Sequence, residues 1–293
     1  MNLGSGRASG RRQVFLVGEG ISKSISPAIQ NSAFRKLDVD LEYGLLEIRE
    51  KEFDSKIKEV LKSKNVRGLN VTVPFKEKII KHLSQIDPRS RAIGAVNTVK
   101  ILERESLGFN TDYDGISATL DSLRKDWKGR RGVILGAGGA ARACVYTLAM
   151  RGFSSIIILN RTVSKAKELA NHFRLDFPKI TIDFSPLTSL EISEHIKGCD
   201  LLVNAISNRA KFPLEVNFLG AKQGMRVFDL GYREPIPLLK SAKKRGLQGS
   251  NGILMLVEQA ASSIEIWTGE VAPRRYMMNA ALNALRKKGP NEK

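Results

Sequence analysis

Cysteine is nearly absent from the 293-residue chain: only Cys144 and Cys199 occur. The first falls in an apolar helical pattern and the second just ahead of an apolar strand. Both read as packing residues in a reducing compartment, which excludes a disulfide scaffold. Histidine is almost as scarce, and His82, His172 and His195 lack cysteine or acidic companions at ligand spacing, so no metal site is expected. No run reaches the roughly 18 apolar residues of a membrane span, and the N-terminus has no apolar segment between basic residues and a cleavage site. A cytoplasmic protein without a membrane partner is expected.

Acidic residues are outnumbered, 30 against 48 Lys and Arg, leaving a formal net charge of +18. Such an excess raises a nucleic-acid reading. The basic clusters are short, however (Arg130-Arg131, Lys243-Lys244-Arg245, Arg286-Lys287-Lys288), and none interleaves with aromatic residues that would stack on bases. A solvated surface that attracts anionic small molecules fits better, and no nucleic-acid partner is expected. The hydrophobic fraction of 42% and charged fraction of 27% are ordinary for a globular protein, with tails expected only over residues 1–12 and 287–293. The length suits two domains.

Hydrophobic periodicity predicts a strand over 13–17, a helix over 27–37, strands over 43–48 and 68–73 separated by a helix over 52–63, a helical stretch over 75–83, and a hairpin from 95–102 and 105–109. From residue 132 the alternation is cleaner. Strands over 132–135, 155–159, 179–184, 201–205 and 226–230, with helices over 140–151 and 164–173, describe a doubly wound sheet. The fold class is therefore α/β: a first α/β domain over 13–113, a Rossmann domain over 114–251, and C-terminal helices over 252–287 that pack back on the first domain.

Residues 133–142 read VILGAGGAAR, an apolar strand followed by G-x-G-x-x-A and a helix. Gly136 permits the tight turn, Gly138 lets the backbone approach a pyrophosphate, and Ala141 allows close helix packing. The helix N-terminus adds unpaired N–H groups and positive dipole. Ala137, Gly139 and Ala140 complete the candidate loop. The second strand of this unit lacks the terminal acid that would bond the ribose 2′-hydroxyl of NAD. It ends instead in Asn160-Arg161-Thr162, with Lys165 one turn later, a set suited to grip a 2′-phosphate. NADP is the expected cofactor.

The first domain concentrates polar residues where ligands sit in α/β sheets: SISP (24–27), NVTVPFK (70–76), GAVNT (94–98) and NTD (110–112). Together with GAGGAAR (136–142), NRT (160–162) and the helix carrying Gln259, these motifs make the chain resemble the shikimate dehydrogenase family from about Val14 to Gly269. The resemblance implies reversible NADPH-dependent reduction of 3-dehydroshikimate to shikimate, in aromatic amino-acid biosynthesis. It gives Ser24 and Ser26 the substrate carboxylate, and Thr72, Asn97, Asp112 and Gln259 the ring hydroxyls. Tyr232 is also implied on the substrate, and Ala205 and Gly252 on the cofactor. Lys76 becomes the general acid toward the ketone, with Asp112 as its acidic partner. Without the motif, Lys76 reads as a surface lysine at a helix start.

The chain departs from the family pattern at Lys23, where His is common, at Ile206 in Asn204-Ala205-Ile206-Ser207, at Leu254 in place of a glycine, and in the shortened Arg233-Glu-Pro-Ile-Pro. A quinate dehydrogenase, or a broader quinate/shikimate enzyme that accepts NAD, is the nearest alternative. A non-catalytic NADPH-binding regulator is a more distant one. A monomer and a homodimer are both compatible with the sequence.

Overall fold

The computed structural model describes residues 12–103, 105–207 and 216–287; apart from Arg12 and Lys287, the expected tails lie outside them. The chain forms two compact units. Among the described residues the first holds 12–91, 96–111 and 260–287, and the second holds 92–95 and 112–259.

In the first unit β1 (Arg12–Gly18), α1 (Ser26–Lys36), β2 (Leu41–Glu47), α2 (Phe53–Leu61) and β3 (Val66–Val71) alternate, followed by β4 (Gln85–Ile86), α3 (Pro88–Ile93, ending in the second unit's segment), β5 (Thr98–Ile101) and β6 (Ser106–Phe109). The sheet order is β2-β1-β3-β5-β6-β4. β2 and β3 both run parallel to β1, whereas β5 pairs antiparallel with β3 and with β6, which forms the expected hairpin. Buried Val17, Phe53, Ile57, Leu69, Phe75 and Val99 fill one face, with the Phe53 and Phe75 rings stacked at 4.1 Å between centroids. The helix expected over 75–83 shrinks to a 3-10 turn over Lys78–His82. The Lys76 carbonyl accepts the Val96 N–H at 2.8 Å, which takes it out of the helical ladder.

In the second unit α4 (Asp112–Leu123) precedes β7 (Arg131–Leu135), α5 (Gly139–Met150), β8 (Ser155–Asn160), α6 (Val163–Asp176), β9 (Thr181–Pro186), α7 (Ser189–Ile196), β10 (Leu201–Asn204), β11 (Arg226–Asp229), α8 (Pro237–Lys244) and β12 (Gln248–Ser250). All pairings are parallel, in the order β12-β11-β10-β7-β8-β9, the 3-2-1-4-5-6 arrangement of a dinucleotide-binding sheet. Ile134, Val203 and Phe228 on one face, and Val133, Leu135 and Leu202 on the other, are buried under helices.

α9 (Ile253–Thr268) begins in the second unit and, from Ala260 onward, belongs with α10 (Arg274–Lys287) to the first. The C-terminal segment expected to return from residue 252 does so from Ala260. α10 packs against α1, and the Trp267 indole N–H donates to the Val99 carbonyl at 2.9 Å. Gly68 makes room for that ring: a Cβ there would sit 2.3 Å from Trp267 Nε1. No helix among the described residues is long and apolar enough to cross a membrane.

Candidate active site

Five of the expected substrate residues lie in the first unit. Ser24 and Ser26 open α1, where the Ser24 hydroxyl donates to Ser26 Oγ at 3.1 Å and accepts the Ser26 N–H at 3.2 Å. Ile25 at the cap supplies no side-chain bond, so two hydroxyls stand at a helix start whose dipole favours an anion. Thr72 and Lys76 lie on the segment leaving β3. The Thr72 N–H donates to Val17, the Thr72 carbonyl accepts from Phe75, and the Val71 N–H donates to the Asn97 carbonyl at 2.8 Å. With the Val96–Lys76 bond, these stitch residues 71–76 to 96–97 and bring Thr72, Lys76 and Asn97 to one end of the sheet.

Asp112, Tyr232 and Gln259 lie in the second unit. Asp112 is buried at the first position of α4. Gln259 Nε2 donates to the Leu256 carbonyl at 2.9 Å, and the Arg233 guanidinium lies 5.7 Å from the Tyr232 ring centroid.

The glycine-rich turn joins β7 to α5. Gly136 has φ +105°, which side-chain-bearing residues rarely adopt, and Gly138 is the N-cap of α5 with no side chain to cap it. A Cβ on Gly138 would meet nothing within 4 Å, so the protein's own packing does not demand glycine there. The gap lies at a helix N-terminus beside half-buried Ala137, Gly139 and Ala140 and buried Ala141, and it suits the close approach of a pyrophosphate. Ala205 abuts the turn: its N–H donates to Leu135, and a Cβ on Gly136 would lie 3.1 Å from its carbonyl. Gly252 has a packing reason of its own, since a Cβ there would fall 2.1 Å from the Leu230 carbonyl oxygen.

β8 ends at Asn160, whose Nδ2 donates to the Thr162 carbonyl at 2.8 Å and tightens the turn. Arg161, Thr162 and Lys165 are exposed, and no acid occurs between Asn160 and Lys165. Thr162 occupies the N-cap of α6, but its hydroxyl makes no capping bond. With Arg161 and Lys165 exposed, this end of β8 offers cations rather than a ribose-binding carboxylate.

Several functional features carry weaker sequence signals. At the ends of β10 and β11, Asn204 Nδ2 donates to Asp229 Oδ2 at 2.8 Å, Asn204 Oδ1 accepts the Ile206 N–H, and Asp229 Oδ1 accepts the Gly231 N–H. This fixes the loops carrying Ala205 and Tyr232. Burial raises the Asp229 carboxyl above its ordinary range. Residues 92–95 are held by α5 and α6: His172 Nε2 lies 2.8 Å from the Ala92 carbonyl, and a Cβ on Gly94 would meet Arg142 Nη1 at 2.9 Å. His172 therefore has a packing role that its isolation in the sequence hid. Among the described residues no group of three or more His, Cys, Asp or Glu is placed to hold a metal.

Three family models match the chain: the shikimate dehydrogenase substrate-binding domain over residues 16–99, shikimate/quinate 5-dehydrogenase over 119–231, and the shikimate 5′-dehydrogenase C-terminal domain over 252–282. A shikimate dehydrogenase (NADP(+)) from Caldanaerobacter subterraneus subsp. tengcongensis is 37% identical over 268 residues, 89% of this chain and 93% of its own. Among solved structures, a shikimate dehydrogenase in complex with NADP+ matches at 32% identity and TM-score 0.84, covering 97% of this chain and 99% of that one. The Thermus thermophilus shikimate 5-dehydrogenase in complex with NADP(H) and shikimate matches at 30% identity and TM-score 0.79, covering 94% and 100%.

Proposed function

The chain belongs to the shikimate dehydrogenase family, and we propose that it catalyses the reversible, NADP-dependent reduction of 3-dehydroshikimate to shikimate. The observation that carries this reading is a pairing on the nucleotide-binding sheet: a glycine turn with open space at Gly138, beside a β8 end that bears Arg161 and Lys165 without an acid. When bound, NADP would supply the hydride chemistry at the substrate carbon. The protein's role is to hold both molecules and to move the accompanying proton.

The hydroxyls of Ser24 and Ser26 receive the substrate carboxylate; Thr72, Asn97, Asp112, Tyr232 and Gln259 bond the remaining polar groups. Lys76 protonates the ketone oxygen and is the acid in reduction and, deprotonated, the base in oxidation. Asp112 is its acidic partner, assigned from the motif. Arg161 and Lys165 take the 2′-phosphate, with Asn160 and Thr162 as hydrogen-bonding neighbours. Gly136 to Ala141 form the pyrophosphate cradle, and Ala205 and Gly252 line the nicotinamide half. The enzyme works in the cytoplasm as a monomer or homodimer, a setting that fits two buried cysteines outside any disulfide. Quinate with NAD is the competing pair, motivated by Ile206 and Leu254.

Shikimate and NADP mixed with the protein should give the absorbance of reduced cofactor. Lys76→Ala should lose turnover by a factor on the order of 100 or more while still binding shikimate. A Lys76→Ala protein with full activity would contradict the assignment.

A further inference from the structure

We propose that Thr98 is a positioning residue of this enzyme: its hydroxyl, backed by Ser263 of α9, fixes the side-chain amide of Asn97 so that only the nitrogen end is offered to substrate. The proposal rests on the reading above, in which Asn97 bonds a ring hydroxyl. Every residue in it lies in the first unit.

Asn97 is 3% exposed, and its Oδ1 accepts the Thr111 main-chain N–H at 2.8 Å. An amide N–H can only donate, so the carboxamide oxygen must face it; turning the group over would set donor against donor. The Thr98 hydroxyl donates to the same oxygen at 3.1 Å, and Thr111 Oγ1 lies on it at 3.2 Å.

Thr98 Oγ1 is the centre of this cluster. Besides Asn97 Oδ1, it meets Asn70 Nδ2 at 3.0 Å, Ser263 Oγ at 2.9 Å and Thr111 Oγ1 at 3.1 Å. A hydroxyl has one hydrogen and two lone pairs. Asn70 Nδ2 only donates, and its own orientation is set because it also faces the Asn97 main-chain carbonyl at 3.2 Å, while Asn70 Oδ1 accepts the Tyr43 hydroxyl at 2.8 Å. Asn70 Nδ2 also lies 3.0 Å from Ser263 Oγ, so it donates into the Thr98–Ser263 pair of hydroxyls. Asn97 Oδ1 only accepts, so along that contact the Thr98 hydroxyl is the donor, while its contacts with Ser263 and Thr111 are open to a hydrogen from either side. Thr98, Thr111 and Ser263 are each 0% exposed, so no bulk water competes for these bonds.

The consequence is a donor-only contact. Asn97 presents N–H to a substrate atom that must carry a lone pair, so a hydroxyl oxygen is accepted and a protonated amine at the same ring position is rejected. Sequence reading singles out Asn97 but not Thr98 or Ser263, because a threonine at a strand start and a serine in an apolar helix look like packing residues.

Steady-state kinetics of Thr98→Val, Thr98→Ser and Ser263→Ala test the proposal. Thr98→Val keeps the shape and removes the hydroxyl. It should raise the KM for shikimate about tenfold, with kcat changed less than about threefold and the KM for NADP unchanged. Thr98→Ser should recover most of the loss, and Ser263→Ala should show a smaller rise in the same KM. In an Asn97→Ala background, Thr98→Val should add nothing further, which a merely structural role would not produce. A wild-type shikimate KM in Thr98→Val, an equal rise in the NADP KM, or additivity with Asn97→Ala would overturn the proposal. Should Thr98→Val not fold, an unchanged shikimate KM in Ser263→Ala would overturn it as well. A wild-type protein that does not turn over shikimate removes the parent reading and this one with it; an active wild type matched by its variants removes this one alone.

Discussion

Two glycines of the nucleotide-binding unit divide the demands of folding from those of binding. At Gly252 a methyl group would fall 2.1 Å from the Leu230 carbonyl oxygen, so the fold requires glycine whatever binds nearby. At Gly138 the same methyl group meets nothing within 4 Å, and the backbone has φ −94°, open to any residue. Gly138→Ala should therefore leave thermal stability almost untouched, within about 0.5 kcal/mol, or slightly raise it. Its affinity for NADP should fall about tenfold, because the new methyl group occupies the space a pyrophosphate approaches. Calorimetric titration with NADP beside a thermal melt checks both effects. Unchanged affinity would remove Gly138 from the cofactor site.

At the scale of elements, Asp200 ties the start of β10 to β7. It accepts the Arg131 N–H at 2.9 Å and pairs with Lys222 at 2.6 Å and Arg130 at 3.5 Å. Burial opposes its ionisation, but these partners outweigh burial and hold the carboxyl below its ordinary value. A depressed carboxyl contributes stability that is present above the unfolded-state pKa, near about 4, and lost as pH falls through the folded value. Asp200→Asn should thus destabilise by about 1 to 2 kcal/mol at pH 7 in urea melts, discounted because both cations are partly exposed, and by much less near pH 3. A deficit that does not shrink in acid would contradict this role.

Most strands of both sheets were legible because their apolar runs are short and rich in β-branched residues; the edge strands β4 (Gln85–Ile86) and β12 (Gln248–Ser250) were not, being two and three residues long without an apolar run. Of the missed helices α3, α4, α7 and α8, two have identifiable reasons. α4 (DYDGISATLDSL) carries a glycine and many small polar residues, so it reads as a linker; Gly115 is there because a Cβ would fall 2.4 Å from the Met255 carbonyl oxygen. α7 did announce itself, for Thr188 accepts the Glu191 N–H, the threonine half of a capping-box spacing, but only eight residues follow. The site was legible where chemistry is written in local motifs, as at the glycine turn and the Asn160-Arg161-Thr162 end. The hydroxyl cluster around Asn97 was not, because Asn70, Thr98, Thr111 and Ser263 are brought together only by tertiary pairing.

For the molecule as a whole, the excess of 18 positive charges suits two anionic ligands, a carboxylate substrate and a triply phosphorylated dinucleotide, and diffusional capture of both gains from such a field. The central claim joins a substrate to a cofactor. It is tested most directly by kcat/KM for shikimate and quinate, each with NADP and NAD, on the purified protein. Shikimate with NADP should be the best of the four pairs, by about tenfold or more over shikimate with NAD, because the β8 end bears the exposed cations Arg161 and Lys165 and no carboxylate. A preference for quinate with NAD, or no turnover of any pair, would contradict it.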